Sequence, residues 1–568
     1  MGKPAKDAPA APVQSLPQKV FLSGLLNGWT ALVMAIAFLV ATPVLFVLSN
    51  VFVDSGEIWD HLAQTVLWRY VTNSFLLMIG VGCGVLVIGV GTAWLVTMCS
   101  FCGSRLFEWA LLLPLAAPAY VLAYTYTDFL DFAGVVQTRL RELFGWGYGD
   151  YWFPNIRSIG GAIAMMILVL YPYVYLLARV AFLEQSGCTL EASRSLGCGP
   201  WRSFFTVALP LARPAIVAGL ALVLMETLND FGTVQYFGVE TFTTGIYRTW
   251  FGLGERAGAG QLAAFLLLFI LWLILLERWS RRQARYYQNT GTQRQMSSYQ
   301  LRGIQALGAW LSCFIPLCLG FLLPAGLLLE MTIENASITF DERFWSFAKN
   351  SFILAVITAI LGVVIALIMA YGLRLCPNIL MRFAVRIASM GYAIPGSVIA
   401  VGILIPIGRL DNAIDAWMRS TFDISTGLLL SGTITALVFA YLVRFLAVSF
   451  NTVEASLGKI KPSLDDAARS LGQGPTSTLV KVHVPIMWGS LLTAAMLVFV
   501  DVMKELPATL IIRPFNFDTL AVRVYNLAAD ERLAEAAGAA LAIVAVGIVP
   551  VIILSTRIAK SQLHQSKG

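Results

Sequence analysis

The chain has 568 residues, 58% of them hydrophobic and only 12% charged, with a formal net charge of +7. A soluble globular chain usually carries about twice that charged fraction, so a single water-soluble core is excluded and a polytopic helical membrane protein is indicated. The modest positive excess reads as Lys and Arg in cytoplasmic loops rather than as a nucleic-acid surface.

The first residues, rich in Ala, Pro and Lys, lack a cleavable signal pattern and read as a disordered cytoplasmic tail over 1–28. A bilayer core needs about 20 apolar residues per helix. At that length the first half shows spans near 30–53, 75–98, 108–129, 159–183, 212–236 and 261–277. A basic, Gln- and Ser-rich stretch with Arg281, Arg282, Arg285 and Arg294 then reads as a cytoplasmic linker over 280–304. The second half shows spans near 306–330, 351–374, 385–408, 426–450, 487–511 and 535–556, and residues 558–568 read as a cytoplasmic tail. The expected fold is therefore all-α and polytopic, with about 12 transmembrane helices in two units, 29–279 and 305–557. Basic residues Arg202, Arg213, Lys459 and Lys481 fall on the linker side, and acidic connections around Asp60 and Asp341 fall on the other. Of the eight Cys, only Cys99 and Cys102 have a CxxC spacing, and without a second pair they read as packing residues.

The halves carry the same landmarks in the same order. Asn73-Ser74-Phe75 recurs as Asn350-Ser351-Phe352, and Pro118 as Pro395, both 277 positions on. Ala192-Ser193-Arg194-Ser195-Leu196-Gly197 recurs as Ala467-Ala468-Arg469-Ser470-Leu471-Gly472, and Pro210 as Pro485, both 275 on. Two parallel copies of a six-helix unit imply a pseudo-twofold axis along the membrane normal, with a pathway between the halves.

The repeated loop begins with an acid, Glu191 or Asp466, suited to a helix N-terminus. It closes on Gly197 or Gly472, and the chain restarts near Pro210 or Pro485. This pattern resembles the EAA loop of ABC importer permeases, with Asp466 in place of Glu and Ser193 in place of Ala. The resemblance implies the type I importer permease fold and an ATPase-coupling role for Glu191, Ala192, Arg194, Gly197, Pro210, Asp466, Ala467, Arg469, Gly472 and Pro485. It implies two copies of a cytoplasmic ABC ATPase as partners. No GxxxxGK(S/T) loop occurs in the chain, so no cofactor is expected on it, with ATP and Mg residing on the partner ATPase.

Glu226 and Asp230 are spaced i, i+4 in the fifth span, and Asp501 and Glu505 repeat them 275 positions on. On continuous helices each pair shares one face. Such carboxylates are costly in a membrane unless they face a cavity or a partner. Facing one another across the axis they would form an acidic ring for transient contact with a hard metal cation. Equally, they suit pairing with Lys504, capping of broken helix ends near Asn229, Gly232 and Pro507, or contact with a binding protein.

The stretches from Asp230 to Phe237, from Thr241 to Arg248, from Lys504 to Thr509, from Arg513 to Leu520, and Tyr392-Ala393-Ile394-Pro395-Gly396 resemble the ferric-iron ABC permeases. The likeness implies a periplasmic iron-binding protein as partner and a bacterial inner-membrane location, with both termini cytoplasmic. Thiamine, polyamine and phosphonate importers have related permeases and remain alternatives for the substrate. Tyr236, Tyr247 and Tyr525 are expected near the outer ends, as interfacial anchors or as helpers to an oxygen-seeking ion. A secondary transporter would not need two EAA-type loops. A membrane enzyme is disfavoured because His61, His483 and His564 are scattered.

Overall fold

The structure, a computed structural model, describes residues 28–52, 57–147, 149–184, 193, 195–282 and 299–565. Residues 1–27 of the tail expected over 1–28, most of the linker expected over 280–304 and the last three residues of the C-terminal tail lie outside the described residues. Among the described residues eleven helices are long and apolar enough to cross a membrane, or twelve if one bent pair counts as a single span. Helices prevail because a segment in hydrocarbon must satisfy its own backbone groups.

The first unit holds α1 (Gly28–Phe52), α2 (Trp59–Met98), the bent pair α3 (Ser104–Ala116) and α4 (Ala119–Phe144), α5 (Ile159–Leu183) and α6 (Pro200–Asn229). Two short helices follow, α7 (Gly232–Tyr236) and α8 (Phe242–Tyr247), before α9 (Arg256–Glu277). The second unit repeats this order. It runs α10 (Ile304–Glu334), α11 (Glu342–Leu375), α12 (Ile379–Ala388), α13 (Gly396–Phe422) and α14 (Ile434–Leu457). Then come α15 (Ser463–Ser470), α16 (Pro475–Met503), α17 (Pro507–Ile512), α18 (Leu520–Ala529) and α19 (Leu533–Ile553). A two-residue parallel ladder joins β1 (Cys99–Ser100) to β2 (Tyr299–Gln300), tying the chain at the start of the second unit to the end of α2.

Each unit packs by the same plan. In the first, α2 lies against α5 and α6; in the second, α11 lies against α14 and α16. The outer helices cross over. α1 packs on α12 and α13, α9 also packs on α13, and α19 packs on the α3 end of the first unit. These crossings depend on glycine. A Cβ at Gly402 would meet the Pro43 carbonyl, and one at Gly547 would meet the Ala116 backbone. Backbone cannot give way as a side-chain tip can, so Gly547→Val should cost about 1–3 kcal/mol or more by overpacking. A lower thermal-unfolding midpoint checks this, with Gly326→Val as control, since Gly326 has open space around it.

Four expected spans stop short or break. The span expected at 212–236 starts at Pro200 and stops at Asn229, and the one expected at 487–511 starts at Pro475 and stops at Met503. The span expected at 385–408 divides into α12 and α13 at Pro395, and the one expected at 108–129 bends by 89° between Ala116 and Ala119, at Pro118. Proline cannot donate the ladder hydrogen bond, which explains the last two. The first two have a different cause, which lies in the carboxylates themselves.

Candidate translocation cavity and coupling loops

Asp230 ends α6 with an extended backbone (ψ 135°) and turns its carboxylate onto the next helix. Its Oδ1 accepts from the Thr233 and Val234 N–H groups, both at 3.1 Å, and its Oδ2 from Thr233 Oγ1 at 2.9 Å. Glu505 does the same one repeat later. It accepts from the Ala508 N–H at 2.9 Å, the Thr509 N–H at 3.0 Å and Thr509 Oγ1 at 2.6 Å. A carboxylate that satisfies orphan N–H groups starts a helix, so each acid stops one helix and opens another. This corrects the expectation of unbroken i, i+4 faces. Glu226 and Asp501 stand in the last turns of their long helices, and Asp230 and Glu505 lie beyond them.

The two breaks meet between the units. All four carboxylates line one cavity of about 130 Å³, together with Tyr120, Tyr173, Asn229, Tyr392, Arg444 and Lys504. Contacts across the axis close it. The Gly396 N–H donates to Asn229 Oδ1 at 3.0 Å, and the Tyr120 hydroxyl reaches the Lys504 carbonyl at 3.5 Å. Glycine is required at Gly396, where a Cβ would collide with Arg444, Glu505 and the Ala508 backbone.

The second unit supplies both basic groups. Arg444 Nη1 lies 3.0 Å from Glu505 Oε1, with the two side chains 9% and 1% exposed. Lys504 Nζ lies 2.9 Å from Asp501 Oδ1. The positions one repeat earlier are Val169 and Asn229, so the first unit brings no cation. Two of the four acids are thus paired, Asp501 with Lys504 as the sequence allowed and Glu505 with Arg444, so the ring of acids offered as the other reading is half neutralised. Among the described residues the Glu226 side chain has no hydrogen-bond or ion-pair partner, and the Asp230 side chain has only hydroxyl and N–H donors. The cavity keeps two more acidic than basic side chains, concentrated on the first unit's wall.

Among the described residues no group of three or more His, Cys, Asp or Glu stands close enough to hold a metal ion. The four acids share a cavity without converging as a ligand set, because three of them are turned to a cap or a cation. The three tyrosines Tyr236, Tyr247 and Tyr525 are half-buried and pack on aromatic side chains that line or adjoin the cavity. Phe231 packs on Tyr247 at 4.8 Å and on Tyr525 at 5.8 Å, and Tyr124 packs edge-on to Tyr236 at 4.5 Å. Arg444, Tyr120, Tyr173 and Tyr392 were not read as site residues from the sequence. Arg444 carried a signal, being an ionisable residue in the middle of an apolar span.

In the first repeated loop, Glu191, Ala192 and Arg194 lie outside the described residues. Gly197 has φ +79° and Gly472 φ +76°, a left-handed conformation that favours glycine. Each turn closes identically: the Cys198 N–H donates to the Ser193 carbonyl and the Gln473 N–H to the Ala468 carbonyl, both at 3.0 Å. Asp466 stands in the first turn of α15 and Arg469 in its last, 3.4 Å apart, with both side chains exposed. Ala467 is exposed as well, and Leu196 and Leu471 project at matching places, 83% and 79% exposed. Pro210 and Pro485 sit at the second position of the α-helical segments Leu209–Asn229 and Val484–Met503.

Comparison with known proteins agrees with this architecture. Residues 85–286 match the family described as binding-protein-dependent transport system inner membrane component. The chain is 28% identical over 490 residues to the Fe(3+)-transport system permease protein FbpB 2 of Haemophilus influenzae, covering 85% of this chain and 88% of that one. It is 24% identical over 565 residues to the ferric transport system permease protein FbpB of Actinobacillus pleuropneumoniae, covering 94% and 79%. Over 207 residues it is 30% identical to the molybdenum transport system permease protein ModB of Escherichia coli, which spans 35% of this chain and 87% of ModB. The paired six-helix units, the recurring loops and these matches together place the chain in the family of binding-protein-dependent transport system inner membrane components, as a multi-pass permease with both units in one polypeptide.

Proposed function

We propose that this chain forms the membrane pathway of an ATP-driven importer that takes ferric iron from a periplasmic binding protein and passes it through the bacterial inner membrane. Two cytoplasmic ABC ATPase subunits dock on the loops around Gly197 and Gly472, and the linker and both termini lie on that side. The observation that carries this reading is the single cavity lined by Glu226, Asp230, Asp501 and Glu505, with its acidic excess. A hard, highly charged cation favours carboxylate and phenol oxygen, and Tyr120, Tyr173 and Tyr392 add phenols to the same walls. The space accommodates several waters or one small ion, which weighs against thiamine or a polyamine. The exposed Leu196 and Leu471 fit a partner's hydrophobic groove. Nucleotide on the ATPase biases a two-state rearrangement of the units, so work reaches the cavity mechanically.

An oxyanion is a second reading, favoured by Arg444 and Lys504 in the cavity and by the likeness to a molybdenum permease. Both cations are engaged by carboxylates at 3.0 and 2.9 Å, which leaves the acidic excess facing the cargo. Proteoliposomes holding the chain with its ATPase, supplied with iron-loaded binding protein and internal ATP, decide the matter. Entry of ferric iron that needs both ATP and binding protein is expected. Entry of molybdate in its place, with a molybdate-loaded binding protein, would reject the iron reading and keep the permease.

A further inference from the structure

A second cluster of charged side chains lies at the other end of α16, outside the cavity. Asp465 stands in the first turn of α15, beside the loop acid Asp466. Its Oδ2 accepts from Arg374 Nε at 2.8 Å and Arg374 Nη2 at 2.6 Å, and its Oδ1 faces His483 Nε2 at 2.6 Å. Arg374, at the end of α11, also donates to the Leu457 carbonyl at 2.8 Å and the Ile460 carbonyl at 3.0 Å. His483 is fully buried against the Tyr371 ring, and among the described residues its Nδ1 has no hydrogen-bond partner. Burial works against ionisation of Asp465, and the hydrogen bonds from Arg374 and His483 outweigh it, so its carboxyl sits below the ordinary aspartate value.

Three elements thus meet at one carboxylate: the short helix α15, the end of α11 and the start of α16. Eighteen residues after His483, α16 carries Asp501, the cavity acid paired with Lys504. At about 1.5 Å per residue that is a rod of roughly 27 Å. The first unit cannot build this junction, because the corresponding positions are Thr97, Leu190 and Ala208. Among the described residues the Thr97 hydroxyl bonds only its own helix, to the Ala93 carbonyl at 2.6 Å and more weakly to the Trp94 carbonyl.

We propose that Asp465 is a positioning residue that locks the second coupling helix to α11 and α16 through Arg374 and His483, so that displacement at this loop is transmitted rigidly to the cavity acids of the second unit. The two ATPase contacts are then unequal, and the second is the stiffer. The inference rests on the coupling-loop reading above. It concerns neither Asp466 nor Gly472, which face the ATPase.

The test uses the whole complex in proteoliposomes and reads cargo entry and ATP hydrolysis together. Asp465→Asn and Arg374→Gln should keep the ATPase bound and hydrolysis within about twofold, while cargo moved per ATP falls about fivefold or more. Asp465→Glu should recover at least about half of that loss, and Thr97→Ala or Ala208→Ser in the first unit should leave the ratio unchanged. An unchanged ratio in Asp465→Asn, or an equal loss from the first-unit changes, would overturn the proposal. Should the variants fail to assemble, amide exchange on the parent complex decides it without using cargo. Residues 464–471 and the first turns of α16 should open as one unit with and without ATP, and independent opening would overturn the lock even if the iron reading stands.

Discussion

Replacing Glu226 and Asp230 together with their amides should lower ATP-dependent cargo entry at least about tenfold while leaving assembly and thermal stability unchanged. Among the described residues neither acid forms a direct ion pair, and Lys504 and Arg444 keep Asp501 and Glu505 as partners, so the removal strands no charge. Asn at 230 still offers Oδ1 to the Thr233 and Val234 N–H groups, and Asn caps a helix about as well as Asp. What disappears is the acidic excess of the cavity. A unit charge about 4 Å from a cation is worth about 4 kcal/mol at an effective dielectric constant of about 20, and about a third of that already makes a tenfold difference. Uptake within about twofold of the parent would show that the first-unit acids do not meet the cargo. The corresponding change at Asp501 and Glu505 is not equivalent, since it also releases Lys504 and Arg444.

The second large effect is on stability. Glu505→Gln leaves the Arg444 guanidinium in a buried site without its anion, and breaking such a pair by removing one partner costs about 3–5 kcal/mol. The side chain of Glu505 is 1% exposed and that of Arg444 9%, so bulk solvent screens the loss little. Among the described residues Arg444 Nε already has no hydrogen-bond partner. Replacing both, as Arg444→Met with Glu505→Gln, removes the stranded charge and keeps an acceptor for the α17 cap. The double variant should therefore unfold at a higher temperature than Glu505→Gln alone, with a coupling of about 2–3 kcal/mol in the double-mutant cycle. If Glu505→Gln unfolds at the parental temperature, the ion pair is not a structural element of the cavity wall.

The pairing also changes how the acids of the cavity are understood. The units repeat their acids and their caps, yet Arg444 and Lys504 occur in one unit only. The second unit's half of the cavity is braced, and the first unit's half keeps charge available. A twofold-related frame thus carries an asymmetric electrostatic surface. The same division appears at the loops, where the Asp465 junction of the second unit has Thr97, Leu190 and Ala208 at the corresponding first-unit positions.

Much of this was legible before any coordinates. Apolar length alone marks the spans, because a helix in hydrocarbon must be about 20 residues long whatever its neighbours are. The 275- and 277-residue offsets of Asn73, Pro118, Gly197 and Pro210 expose the repeat. The loop glycines announce a left-handed turn, and both adopt it, since that preference is local. The helix breaks at Asp230 and Glu505 were only half visible. An acid three or four residues before a run of N–H groups can cap or can continue a helix, and the choice depends on what else contacts it.

By itself the sequence determined that the chain crosses a membrane as two related units and that equivalent acids recur in each. Those features depend on residue type and spacing along a single helix. That Glu505 and Asp465 are neutralised was decided only by tertiary structure, whereas the pairing of Asp501 with Lys504 is local. Arg444 meets Glu505 across 61 positions and Arg374 meets Asp465 across 91. Such partners are chosen by how separate helices pack, and charge pairing at 3 Å acts through that proximity and not through order in the chain.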